Sequence, residues 1–212
     1  MTALEPVTGV ILAGGLSRRM GGGDKGLLDL GGVTMLGRVI DRLQPQVGHL
    51  VINANGDAAR FAAFGLPVVA DATADYAGPL AGVLAGMRWS LAYVPAARHI
   101  VTVSSDAPFL PLDLVDSLSS AIADRADAIA LARSGGDVHP VIGLWPVALA
   151  DDLHVWLAAG TRKVLAWVDR HASTQVDFPQ VEIGGRQVDP FFNANTPEEL
   201  TAARALIGGP RP

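Results

Sequence analysis

The chain contains no cysteine among its 212 residues. That excludes disulfides, thiolate metal sites and a cysteine nucleophile, and it suits a reducing, cytoplasmic setting. Aromatic residues make up only 6% and charged residues 17%. No apolar run reaches the ~20 residues that a membrane-spanning helix needs. The stretch Met1–Thr8, with Glu5 and Pro6, lacks the basic-then-apolar order of a secretory signal. There is no excess of basic charge either. The formal net charge is −5, which argues against a nucleic-acid partner. What the chain does have is apolar content, at 50%, enough at this length for one well-packed domain. That domain is expected to span residues 1–208, with 209–212 as a loose tail.

One stretch concentrates glycine and positive charge: Val10-Ile11-Leu12-Ala13-Gly14-Gly15-Leu16-Ser17-Arg18-Arg19-Met20-Gly21-Gly22-Gly23-Asp24-Lys25-Gly26. The uninterrupted apolar run Val10–Ala13 predicts a strand buried on both faces. Gly14 and Gly15 permit a sharp turn and bring bare N–H groups close to a ligand. Such groups cradle anions, and Arg18, Arg19 and Lys25 add full charges. A Walker loop would place its lysine directly after the last glycine and a hydroxyl next, whereas Lys25 lies between Asp24 and Gly26. Gly21, Gly23 and Gly26 spell G-x-G-x-x-G, but that fingerprint should begin where the first strand ends, well before Gly21. A plain solvated loop is opposed by three cations in one glycine-rich turn after a buried strand. The remaining reading is a loop wrapped around a polyphosphate.

Beyond the loop, apolar runs alternate in type. Strands are predicted at His49–Asn53, Val68–Ala70, His99–Ser104, Ala128–Ala132 and in a segment from His139 to about Trp145. Between and after them, helices are predicted from a Thr34 cap to Leu43, over Asp57–Phe64, from Pro79 to about Ala92, and over Leu112–Ala123, Asp152–Leu157 and Lys163–His171. Pro45 should end the first of them. The pattern implies a single three-layer α/β/α domain with a mostly parallel, Rossmann-like sheet.

Open parallel sheets bind ligands beyond the carboxyl ends of their strands, and Gly14, Asn53, Asp71 and Asp106 all fall at such ends. Asn53 is either a turn residue or an acceptor for a ligand, and Asp71 either a helix cap, a solvated loop residue or an acceptor likewise. Gly78 and Gly82 flank Pro79; the second either permits tight packing or leaves room for a flat ring. Asp106 is either a helix cap or turn residue before Pro108, or a hard-oxygen ligand for Mg²⁺. Ser104 and Ser105 lack a nucleophile elbow or a histidine-base pattern. His139 is either a turn histidine or a ligand-facing one. Gly160-Thr161-Arg162-Lys163 is a small basic turn that can meet a phosphate or simply cap a helix. Near the C-terminus, Thr196, Pro197 and Glu199 spell a capping box. The box leaves unexplained Asn193 and Asn195, which an extended segment turns to one side.

The run Leu12–Lys25 resembles the signature of nucleotidyltransferases, in particular the molybdenum cofactor guanylyltransferases. Gly78–Gly82, Asp106 with Pro108, His139-Pro140, and Val188 to Leu200 extend the resemblance over nearly the whole chain; it is weakest from about Leu112 to Asp137. The resemblance implies attack by the terminal phosphate of Mo-molybdopterin on the α-phosphorus of GTP, with loss of pyrophosphate. It places Leu12, Ala13, Gly14, Gly15, Lys25, Asn53, Asp71, Gly78, Gly82 and Asp106 at GTP. It makes Arg19, Lys25 and Asp106 catalytic, with Arg18 beside them, and gives Mg²⁺ to Asp106. His139, Asn193 and Asn195 fall on the molybdopterin side. Molybdopterin-loading and acceptor apoenzymes are the implied protein partners. Transfer from CTP, a sugar-phosphate acceptor and a non-catalytic nucleotide-binding module are the rival readings. The charge set Arg19, Lys25 and Asp106 speaks for an enzyme.

Overall fold

A computed structural model of the chain describes residues 6–14, 24–72, 78–194 and 196–207. Gly15, Arg18, Arg19 and Asn195, like the tail 209–212, lie outside the described residues. A seven-stranded sheet runs in the order β3-β2-β1-β4-β6-β5-β7. Its strands are β1 (Thr8–Leu12), β2 (His49–Asn53), β3 (Val68–Val69), β4 (His99–Ser104), β5 (Ile129–Ser134), β6 (Asp137–Pro146) and β7 (Ser173–Asp177). All pair in parallel except β6, which runs against β4 and β5. The exception has a local cause. Gly135 and Gly136 take φ of 57° and 95° between β5 and β6, the paired positive values of a two-residue hairpin turn.

Helices cover both faces. On one side α1 (Met35–Leu43) and α3 (Leu114–Ala121) pack over Ile11, Ile52, Val101 and Val103. On the other, α2 (Pro79–Tyr93), α4 (Ala150–Ala158) and α5 (Val164–Val168) pack over Val10, Val51 and Ile100. Val10 and Ile11 are sequence neighbours serving opposite faces, which is why the strand reads as an unbroken apolar run. Thr34 accepts from the Gly37 amide at 3.0 Å and starts α1 as predicted. After α1 the chain continues through Pro45 as a 3-10 turn, Gln44–Gln46. The predicted helix over Asp57–Phe64 is a 3-10 helix, Ala58–Phe64, capped by Asp57. Helix α6 (Pro197–Ile207) opens on the expected reciprocal box, with Thr196 N to Glu199 Oε2 at 2.9 Å and Glu199 N to Thr196 Oγ1 at 3.2 Å. It packs with the hairpin β8 (Val181–Ile183)–β9 (Arg186–Val188) around Leu30, Met35 and Phe109.

The sheet is laid outward from β1 to β2 and β3, then resumes on the other side of β1 with β4. The crevice beyond the carboxyl ends of β1 and β4 is therefore the topological switch point, where such sheets bind ligands. Among the described residues, no helix is long and apolar enough to cross a membrane.

Candidate active site

The end of β1 is held from both sides. Ala13 N donates to Asn53 O at 2.8 Å, and Ser105 N donates to Leu12 O at 3.1 Å. Gly14 emerges exposed, with nothing within 4 Å of the place a Cβ would take. The chain returns at Asp24, and Lys25–Leu27 form a 3-10 turn. Gly26 lies against the end of β4: a Cβ there would meet Ser105 Cβ and Oγ at 3.1 Å. That close approach sets Lys25 Nζ 3.4 Å from Asp106 Oδ2. Ser104 Oγ donates to the other carboxylate oxygen, Oδ1. Asp106 sits in the turn that follows β4 and caps no helix, since α3 begins only at Leu114, after Asp113.

Across β1, three residues form a fixed acceptor. Asn53 Nδ2 donates to Val69 O at 3.1 Å and to Asp71 Oδ1 at 2.9 Å. Asn55 Nδ2 donates to Asp71 Oδ2 at 2.8 Å, and Asn55 Oδ1 accepts from the Asp71 amide at 2.9 Å. A carboxylate offers about four lone-pair directions, so Asp71 keeps acceptor capacity beyond these two bonds. Asn53, at 4% exposure, is neither a turn residue nor an open acceptor: it orients Asp71, and its Oδ1 lies beneath α2. Asn55 was not singled out by sequence; its only signal is the Asn-x-Asn spacing at the end of β2.

The two glycines of the predicted base pocket separate. Gly78 precedes α2 with φ +125° and open space where a side chain would stand. Gly82 is buried, and a Cβ there would fall 2.3 Å from Asn53 Oδ1 and 2.7 Å from Leu12 Cδ2. The room expected for a purine at Gly82 is already filled by these side chains. What Gly82 does is let α2 settle directly on the ends of β1 and β2.

His139 lies near the start of β6, opposite Ala132. Because β6 is antiparallel, its start reaches the same carboxyl edge as the end of β4. The His139 Nε2 is 2.7 Å from Ser134 Oγ, which is 2.8 Å from each Asp189 oxygen. A serine hydroxyl has one hydrogen and a carboxylate only accepts, so that hydrogen goes to Asp189 and His139 Nε2 donates. The serine thus stands between histidine and aspartate, an order unlike a nucleophilic triad. Burial pushes the His139 imidazole below its ordinary value, while Asp189 and Asp137 pull it back up. Asp189 also accepts from Phe191 N at 2.8 Å, and the Phe191 ring lies tilted against His139 with centroids 4.7 Å apart, tying the Asn193 segment to this edge. Beside it, Pro79, Pro140, Val141, Lys163 and Leu165 line a cavity of about 450 Å³. Another cavity, of about 370 Å³ and lined by Pro6, Val7, His99 and Leu144, sits at the opposite edge of the sheet.

Among the described residues no three His, Cys, Asp or Glu side chains cluster as a metal cage. One carboxylate facing a cleft is nonetheless the donor set Mg²⁺ takes when substrate phosphates and waters complete its shell. Asp106 fits that role.

A switch-point cleft with a glycine-ended strand, a lysine–aspartate pair and a fixed carboxylate acceptor is the layout of an α/β nucleotidyltransferase. Residues 9–175 match the MobA-like NTP transferase domain, and the chain belongs to that family, among the molybdenum cofactor guanylyltransferases. It is 51% identical over 201 residues to the molybdenum cofactor guanylyltransferase of Bradyrhizobium sp. (strain ORS 278), covering 94% of this chain and 92% of the relative. The enzyme of that name from Mesorhizobium japonicum is 46% identical over 202 residues, covering 95% and 96%. In three dimensions the chain is similar to the molybdopterin-guanine dinucleotide biosynthesis protein A of Archaeoglobus fulgidus, with a TM-score of 0.73 at 20% identity over 95% of this chain and 99% of that one. That likeness establishes the shared fold.

Proposed function

We propose that this chain is a cytoplasmic enzyme that transfers GMP from GTP to the terminal phosphate of Mo-molybdopterin, releasing pyrophosphate and forming molybdopterin guanine dinucleotide. The observation that carries the reading is the Lys25–Asp106 pair facing the switch point, with Asp71 fixed on the other side of β1. Relatives of that name at about half identity over nearly the full length support the choice of substrates. Gly14 presents its N–H group to the phosphates, and the resemblance gives Gly15 the same role. Lys25 and Arg19, with Arg18 beside them, neutralise charge that shifts onto the departing pyrophosphate. Asp106 would hold Mg²⁺, which would supply neutralisation of phosphate charge. Asp71 accepts from nucleoside donors, either guanine N1–H and N2–H₂ or ribose hydroxyls. His139 and Asn193 take the molybdopterin side, where the resemblance also puts Asn195, and the terminal phosphate of the pterin attacks the α-phosphorus without a covalent enzyme intermediate. Apoenzymes that load molybdopterin or receive the product are the further partners.

The test is incubation of the protein with Mg²⁺, molybdopterin and each nucleoside triphosphate in turn. Guanylylated molybdopterin with stoichiometric pyrophosphate is the expected outcome. Release of inorganic phosphate without a dinucleotide product would overturn the reading.

A further inference from the structure

Arg60 belongs to no motif in the sequence and stands on the 3-10 helix that follows β2. Its guanidinium is engaged at all three nitrogens. Nε donates to Asp24 Oδ2 at 2.5 Å, Nη2 to the Asn55 carbonyl at 2.6 Å, and Nη1 to the Asp57 carbonyl. With each nitrogen turned to a protein oxygen, this arginine braces the loops around it. Its two main partners matter because of their own neighbours. Asp24 immediately precedes Lys25, and Asn55 grips Asp71 at both its amide and its carboxylate. A continuous path results, from Lys25 through Asp24, Arg60 and Asn55 to Asp71 and Asn53. The Asp24 and Arg60 side chains are 16% and 26% exposed, so the pair is shielded from much of the screening that weakens surface ion pairs. Only a planar fork can reach an acidic side chain and two carbonyls at once; an ammonium group cannot.

We propose that Arg60 is a positioning residue for the nucleotide: it locks the turn bearing Lys25 to the loop bearing Asp71. The phosphate end and the nucleoside end of one substrate are then held at a fixed spacing before it arrives. Such preorganisation removes an ordering cost from binding and keeps the reacting phosphate aligned. The inference rests on the reading of GTP as substrate given above.

A double-mutant cycle on the full chain tests it, using Mg²⁺ with GTP as the titrant and transfer to molybdopterin as the kinetic assay. Arg60→Ala and Asp24→Asn should each weaken GTP about tenfold, and the double variant should lose no more than about twofold beyond the weaker single one. The KM for molybdopterin should stay within about twofold, which a general loosening of the fold would not permit. Arg60→Lys should bind GTP less well than wild type while melting at the same temperature. If Arg60→Ala does not melt cooperatively, Asp24→Asn and Arg60→Lys, which keep volume, carry the cycle. Losses that multiply in the double variant, unchanged GTP affinity in the single ones, or an equal rise in the molybdopterin KM would each overturn the inference. A wild type that binds no GTP would overturn the functional reading and the inference together. A wild type that transfers GMP, with Arg60 variants unaffected, would overturn the inference alone.

Discussion

Lys25 Nζ and Asp106 Oδ2 lie 3.4 Å apart across the gap between the ends of β1 and β4. The lysine arrives there through a turn in which Gly26 rests closely on Ser105, where a Cβ would stand 3.1 Å from the serine side chain. The aspartate is steadied by Ser104. The two opposite charges form an ion pair at the switch point of the sheet. The pair answers to opposite substitutions in different ways.

Asp106→Asn keeps the shape of the side chain and removes the negative oxygen that a hard cation needs. The variant should fold normally and lose transfer by more than about a hundredfold, ~2.7 kcal/mol of transition-state stabilisation. Steady-state assays over a range of Mg²⁺ concentrations, with a melting curve alongside, check it. Near-normal turnover at ordinary Mg²⁺ would remove Asp106 from the reaction.

Lys25→Ala should weaken GTP and slow transfer together, because the ammonium group meets phosphate in the ground state and more strongly as pyrophosphate departs. A fall in kcat/KM of about 10- to 100-fold is expected, or ~1.4–2.7 kcal/mol. A value within about threefold of wild type would make Lys25 a surface charge.

Gly82→Ala tests packing and not the base pocket. The added methyl must push against Asn53 Oδ1 and Leu12, at a cost of about 1–3 kcal/mol typical of overpacked sites. Displacing Asn53 also loosens Asp71, so GTP affinity should fall with the melting temperature. Full stability with reduced affinity would return Gly82 to the pocket.

Burial holds the His139 imidazole below its ordinary value, so the folded protein binds this proton less readily than the unfolded chain does. Below the unfolded value of about 6.5 the unfolded state therefore carries more protons, and stability rises with pH across that window. The contribution is complete above about pH 6.5 and is lost as pH falls through the folded value. Urea midpoints at about pH 7.5 and 5.5 should differ less for His139→Gln than for wild type. Equal differences would place the acid sensitivity elsewhere.

The strands that build the switch point were legible because each is an apolar run closed by glycine, asparagine or aspartate. Helices α1 and α6 were legible from their caps, Thr34 and the Thr196–Glu199 box. Strand β7 was not: Ser173-Thr174-Gln175-Val176-Asp177 is an edge strand with one strongly apolar residue, and it pairs only because β5 offers a free side. The β8–β9 hairpin does carry a sequence signal, the pair Gly184-Gly185 between short alternating runs, and in the fold those glycines take φ of 58° and 76°. In the site, Lys25, Asp71 and Asp106 could be singled out from strand ends and charge. Asn55 and Arg60 could not, since their partners lie far away in sequence and only the fold brings them together. Gly82 was misjudged for the same reason: a glycine in a helix reads alike whether it faces a ligand or another side chain.

Base choice tests the central claim most directly. An acceptor such as Asp71 suits guanine, with donors at N1 and N2; adenine has an acceptor at N1 and no 2-amino group, and unpaired buried groups cost ~1–3 kcal/mol each. Cytosine presents acceptors at N3 and O2 in place of those donors and would leave the carboxylate unpaired in the same way. Equal GTP and CTP are offered with Mg²⁺ and limiting molybdopterin, and the dinucleotide product is identified by mass. The guanine product should predominate by about tenfold or more. A predominantly cytosine product would contradict the guanylyl assignment.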